Sequence, residues 1–395
     1  MIPRVGPLRR AETQPPQSSG SNQLASGGDT PSPRATTPTL VAAASATDAA
    51  GAGSSTSVNS LAAIFSSSGN PGGRRSKPKN DVNRTTSSFL MRSSPQETMS
   101  TSLNASIQKD TFLFFNVGRT FYWSGLDGKD PPVSYINFSK AFPTCHDVNM
   151  LTRDAKHLDV IIGFSTGDII WFDPLCNRYH RLNKQGVVNA SAVTAIQWIP
   201  GSDQLFMVAF KDGCMAIFDR DKDDQPVSLQ SNHRNTKFHV TRAPKGSKHN
   251  PTSYWQVSPR AVTAFAISPD CQHMAMTSMD GCLRIVDLIE EKLIHTFESY
   301  FGGLTCVAWS PDGKYIITGG QDDLVSIWSF VDHCIVARCQ GHQSWVTDVA
   351  FDNWRCDEDQ YRFGSVGEDG QLLLWDFSVQ TLAKPKVESI LSSSA

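Results

Sequence analysis

His342, Ser365 and Asp369 fall within one short stretch and offer an imidazole, a hydroxyl and a carboxylate. Such a set makes a hydrolase when the hydroxyl is exposed beside the imidazole, which takes its proton while the carboxylate orients the ring. The rest of the sequence offers that chemistry no support. It has no Gly-x-x-x-x-Gly-Lys-[Ser/Thr] loop to cradle phosphates. It also has no His-Glu-x-x-His to pair a metal with a base. His146-Asp147 and His180 stand isolated. The nine cysteines include no Cys-x-x-Cys pair, and their spacing matches neither a zinc site nor a disulfide framework. The chain therefore reads as a non-enzyme with no cofactor and no metal.

Composition narrows the partners. A formal net charge of −2 and a pI near 6.5 give no reason to expect nucleic acid or an anionic membrane. The basic stretch 234–248 lacks the interleaved aromatics of a single-strand binding platform and reads as an exposed loop. Cys214, Cys282 and Cys306 sit in or beside apolar runs, where cysteine acts as a small buried hydrophobe, so a reducing compartment, cytoplasmic or nuclear, is expected. No apolar leader opens the chain and no run approaches 18 apolar residues, so neither secretion nor a membrane span is expected.

The elements that must position the three residues repeat. Residues 301–330 hold three short runs of alternating character, joined by Ser310-Pro311-Asp312-Gly313 and by Gln321-Asp322-Asp323. This pattern predicts a meandering antiparallel sheet that needs copies of itself to bury both faces. The copies are there. The last apolar residue of the third run recurs at Phe172, Phe218, Val286, Trp328 and Trp375, in steps of 46, 68, 42 and 47 residues. Propeller blades repeat at about 40–45 residues, so the long step holds an insertion, placed at 221–255. Asp212-Gly213, Asp280-Gly281 and Asp369-Gly370 mark the same turn in successive units, with Asp322-Asp323 as a variant. Gly341-His342 and Trp375-Asp376 complete a WD-repeat signature. A further hairpin, 111–117 and 119–123 about Gly118-Arg119, supplies a first blade at about 103–138. The expected fold is an all-β WD-repeat β-propeller over 101–380 with about six blades.

Residues 1–100 are dominated by Ser, Thr, Pro, Gly, Ala and Asn, a composition that cannot offset its ordering entropy. They are expected to be disordered and dispensable for the fold, and the Ser-rich tail 381–395 is expected to be disordered. Ten basic and five acidic residues in the first hundred leave 26 and 33 in the body, a basic arm on an acidic domain.

The WD-repeat reading also reassigns the opening constellation. In such repeats a turn Asp, the His of Gly-His, a strand Ser or Thr and the terminal Trp bond one another. Asp369, His342, Ser365 and Trp375 fit those slots, and Asp322, Thr318 and Trp328 fit three of them one unit earlier, without the His.

Several segments resemble one family: 143–147, 160–167, 299–309 (SYFGGLTCVAW), 310–323, 341–350 and 361–367 (YRFGSVG). They are similar to the WD-repeat proteins that include WD repeat-containing protein 20, the myotonic-dystrophy-locus WD-repeat protein and fungal CreC. The resemblance implies a non-catalytic scaffold that binds and activates a ubiquitin-specific protease, often beside a second WD-repeat protein. It also implies seven blades, so either one is missing after residue 380 or the ring closes differently. A six-of-seven ring would leave two unpaired strand edges. The head is unlike the family's, and the family's long insertion shrinks to about 353–360. Phe301 and Trp345 precede the first strands of adjacent units, outside the strand alternation, and match aromatics that face the protease in the family. They are the expected partner-binding residues. The alternative function is a cullin ligase substrate receptor. It would want an Arg two residues after the Asp of Trp-Asp, and Asp219-Arg220-Asp221, Asp287-Leu288-Ile289 and Asp376-Phe377-Ser378 do not supply one.

Overall fold

The computed structural model describes residues 41–42, 77–82, 84, 87, 89–91, 112–125, 132–154, 157–227, 238–357 and 359–381. The tail beyond 381 and most of 1–100 lie outside these. Among the described residues the chain forms six antiparallel sheets of three to five strands, a two-stranded ladder, and no α-helix. No helix there is long and apolar enough to cross a membrane.

The fifth sheet shows the plan. Leu304–Trp309, Tyr315–Gly320, Leu324–Ser329 and Cys334–Gln340 lie side by side in chain order. The fourth repeats it with Val262–Ile267, His273–Ser278, Cys282–Asp287 and Lys292–Glu298. In both, the second strand is buried almost throughout, and only one residue of the fourth, Phe297 or Cys339, is buried, as a sheet edge should be. The five anchor residues are all buried: Phe172, Phe218, Val286, Trp328 and Trp375. The sixth sheet has three strands, Val346–Phe351, Gln360–Gly367 and Leu372–Ser378.

First strands face one another around a cavity of about 600 Å³, lined by Cys145, Thr194, Thr263, Thr305 and Thr347 from five successive sheets. That shared cavity makes the array a propeller. Each of these first strands has a register shift against the second, at Thr144 in the second sheet and at the lining threonine in the other four. In the third, fourth and fifth sheets the shifted threonine turns its hydroxyl toward the next sheet, whereas Thr144 in the second donates to Gly163 in its own. Thr194 donates to the Val262 carbonyl at 2.6 Å, Thr263 to Leu304 at 2.8 Å, and Thr305 to Val346. Thr347 has no following sheet among the described residues, and its hydroxyl donates back to Val366 in its own.

Five apolar clusters fill the five spaces between consecutive sheets. No cluster among the described residues joins the sixth sheet to the first. Leu372 and Leu374 on the sixth sheet's outer face are 58% and 50% exposed, where Val325 and Ile327 at the same register in the fifth are buried.

Two sequence expectations need correction. The ordered chain does not begin near residue 101. Asn80–Asp81 pairs with Arg178–Leu182 and Leu90–Met91 with Ser134–Phe138, adding edge strands to the second and first sheets. Val82, Phe89 and Leu90 are buried in the cluster between those sheets. Phe89 meets Phe138 and Phe164 edge-on and carries the Arg181 guanidinium 4.1 Å above its ring. The reason is local: three apolar side chains suffice to dock a segment whose composition as a whole is that of a disordered one. The insertion is also not all loop. Ser253–Gln256 is the fourth strand of the third sheet, with Tyr254 and Trp255 buried, and His239–Arg242 adds a fifth. Residues 228–237 lie outside the described ones.

Candidate functional site

The connections from fourth strand to next first strand and from second to third strand emerge at one end of the sheets. Each such pair is tied by side chains. In the sixth sheet the His342 Nδ1–H points at both oxygens of Asp369, 2.9 and 3.1 Å away. Its Nε2 accepts from the Ser365 hydroxyl at 2.7 Å, and that oxygen in turn accepts the Trp375 indole N–H at 2.8 Å. Every donor and acceptor along this line is used, as buried polar groups require. Ser365 is 1% exposed, so no substrate atom reaches its oxygen without opening the blade. Burial pushes the Asp369 carboxyl up, but the Gln343 backbone N–H and His342 outweigh it and hold it below the usual range.

Other sheets use other residues for the same tie. Asn189 donates to Asp212 at 2.8 Å in the third. In the fourth, Asp280 accepts from Ser258 at 2.9 Å, Ser278 at 2.5 Å and Arg284 at 2.5 Å. Burial opposes ionisation of Asp280, yet the Arg284 and Ser278 bonds hold its carboxyl far below the ordinary value. The fifth sheet keeps only part of the set. Trp328 donates to Thr318 at 2.9 Å, but Asp322 joins neither; one of its oxygens accepts the Leu324 N–H and the other is buried without a partner. Burial pushes that carboxyl up. Gln321 takes over, accepting the Gly303 N–H at 2.9 Å through its side chain. The Asp-Gly turns were legible in the sequence, whereas nothing in the sequence marks Ser258, Asn189 or Gln321 as the residue that closes the tie.

These ties hold a platform from which aromatics project. In the loop before the fifth sheet, the Ser299 hydroxyl donates to the Gly302 carbonyl at 3.0 Å and Gly302 takes φ 64°. A Cβ on Gly303 would come within 2.9 Å of the Met279 sulfur, so only glycine lets the chain pass so close. The two residues squeezed outward are Tyr300, 72% exposed, and Phe301, 71% exposed. Arg338 lies 5.3 Å from the Tyr300 ring. Trp345, in the equivalent loop one sheet later, is partly buried, with its carbonyl accepting the Glu368 N–H. Sequence reasoning singled out Phe301 and Trp345 and passed over Tyr300, although Tyr300 shares the exposed turn. It also missed Trp354, 81% exposed at the opposite end in the 352–359 connection.

Two comparisons with known proteins bear on this face. The WD domain, G-beta repeat family matches residues 252–287, 291–329 and 334–376. These three matches cover the fourth, fifth and sixth sheets with their ties. The UBP9-binding protein bun62 of Schizosaccharomyces pombe is 44% identical over 299 residues, which is 72% of this chain and 55% of that protein. The chain thus spans about half the length of this relative.

Proposed function

We propose that this chain, which belongs to the family of WD40-repeat proteins that partner ubiquitin-specific proteases, docks such a protease on the end of its sheets where Tyr300, Phe301 and Trp345 lie. The observation that carries the reading is the pairing of 44% identity to a UBP9-binding protein with two adjacent aromatics left over 70% exposed on a pinned loop. Exposed aromatics anchor interfaces because each brings a large apolar area at little conformational cost. The scaffold contributes no chemical group, since Ser365 and His342 are consumed in holding their blade. Activation follows if the docked surface fits the competent protease conformation better than the idle one, for a ligand shifts an equilibrium only by its differential affinity. A second WD-repeat protein fits the same assembly, and a reducing cytosolic or nuclear setting suits nine cysteines of which none is in a disulfide.

The test is affinity purification of the tagged chain from its own cells with mass spectrometry of what it retains. A ubiquitin-specific protease is expected among the stoichiometric partners. Recovery of a cullin adaptor in its place would overturn the reading.

A further inference from the structure

The opposite end of the second sheet carries a convergence that docking does not use. The third strand of this sheet, Ile169–Asp173, ends on Asp173. One oxygen of that carboxylate accepts the backbone N–H groups of Leu175 at 3.0 Å and Cys176 at 3.2 Å, which folds the turn and brings the Cys176 thiol back beside it. In the fourth sheet Asp287 closes the same turn onto Ile289 and Glu290, so the turn itself is generic. The difference is what faces it. His157 comes from the connection between first and second strands, where Asp154 fixes the loop by accepting the His157 N–H at 2.8 Å.

His157 Nδ1 lies 3.0 Å from the second oxygen of Asp173 and 3.7 Å from Cys176 Sγ, and the three atoms all fall within 4.8 Å of one another. A Cys–His–carboxylate relay would need the two partners on different ring nitrogens. Here both converge on Nδ1, the arrangement a shared cation needs. Tetrahedral zinc, with bonds of about 2.0–2.1 Å to N and O and about 2.3 Å to S, sets N···O at about 3.3 Å and S···N at about 3.6 Å. The observed distances differ from these by a few tenths of an ångström. The Asp173 side chain is 1% exposed and that of His157 15%, so the pocket is dry on one side and open on the other.

We propose that His157, Asp173 and Cys176 bind one divalent ion of the zinc class, with water in the fourth position. Thiolate and imidazole select zinc over magnesium or calcium. On binding, the Cys176 thiol releases one proton to solvent and the imidazole proton moves from Nδ1 to Nε2, leaving Nδ1 free to ligate. The ion would clamp the 150–158 connection to the 173–178 turn. Sequence spacing could not show the site because its ligands come from two loops and form no Cys-x-x-Cys pair.

The experiment uses the 395-residue chain, freed of metal under reducing conditions, with zinc and cobalt as probes. One equivalent of zinc per chain should survive desalting, and cobalt should show thiolate charge-transfer absorption. Cys176→Ser and His157→Gln should each weaken zinc binding about 100-fold, while Cys334→Ser leaves it unchanged. On the wild-type chain, zinc should slow iodoacetamide alkylation of Cys176 about tenfold and leave the exposed Cys334 unaffected, an arm that needs no variant to fold. Equal alkylation of Cys176 with and without zinc overturns the proposal. So does zinc retention that survives both substitutions, which would mark adventitious binding only.

Discussion

Phe301 stands clear of the core because Ser299, Gly302 and Gly303 spend their own groups on closing the turn beneath it. Phe301→Ala should therefore weaken protease binding about tenfold or more in a titration while leaving the melting temperature within a degree. Tyr300→Ala should act in the same direction. Trp345 was chosen from sequence on equal terms, but its ring is partly buried, so Trp345→Ala should lower both affinity and melting temperature. Sequence shows that a residue falls outside the strand alternation; it does not show how a neighbouring turn leans on the ring. His146 is a second residue whose role only packing reveals. It is 2% exposed and meets the Phe121 ring edge-on at 5.2 Å, and burial lowers its pKa to about 4. Below pH 6.5 the unfolded chain takes up a proton that the folded chain refuses until about pH 4, so stability falls across that window as pH falls. The neighbouring Asp147 is pushed up to about 7 by burial and runs the other way, so the comparison must be differential. Wild type should lose roughly 3 kcal/mol relative to His146→Phe between pH 7 and pH 4, read from paired denaturant titrations. A constant difference would mean that His146 titrates alike in both states.

Among elements, the strands that repeat were legible and those that do not were missed. Third strands could be aligned because Phe172, Phe218, Val286, Trp328 and Trp375 each fill the same buried slot. Asn80–Asp81 and Leu90–Met91 are two residues each, too short for any period to show, and they join the sheets through partners about 50 to 100 residues away. Strand Ser253–Gln256 was hidden differently, because 33 residues (220–252) rather than a tight turn separate it from Cys214–Asp219, to which it pairs. The docking of the early segment can be measured. Relative to a chain starting at residue 77, one starting at 101 loses buried Val82, Phe89 and Leu90. At about 1.5–3 kcal/mol for each such side chain, its melting temperature should drop by about 10 °C or more. Equal melting of the two would mean that the segment merely rests on the surface.

At the scale of the whole molecule, five interfaces join six sheets, five of which line a central cavity, and the outer face of the sixth shows Leu372 and Leu374 to solvent. Strand Leu372–Ser378 is also the sheet's edge among the described residues, a template for pairing with another chain. The 395-residue chain should therefore self-associate in sedimentation runs as concentration rises, and Leu372→Glu with Leu374→Lys should return it to monomer. A monomer at all concentrations before substitution would contradict this. Repeat counting from sequence had already reached six, because each unit bears its own turn and anchor, but exposure of the last face is a fact of packing alone. The central claim is that this scaffold activates a protease through its aromatic end. It is tested most directly by the rate at which the purified partner protease hydrolyses a fluorogenic ubiquitin substrate, with the chain titrated in as wild type and as Phe301→Ala. A saturable rise with wild type, shifted at least tenfold to higher concentration by Phe301→Ala, is the expected result. A protease whose rate the wild-type chain leaves unchanged at saturation would contradict it.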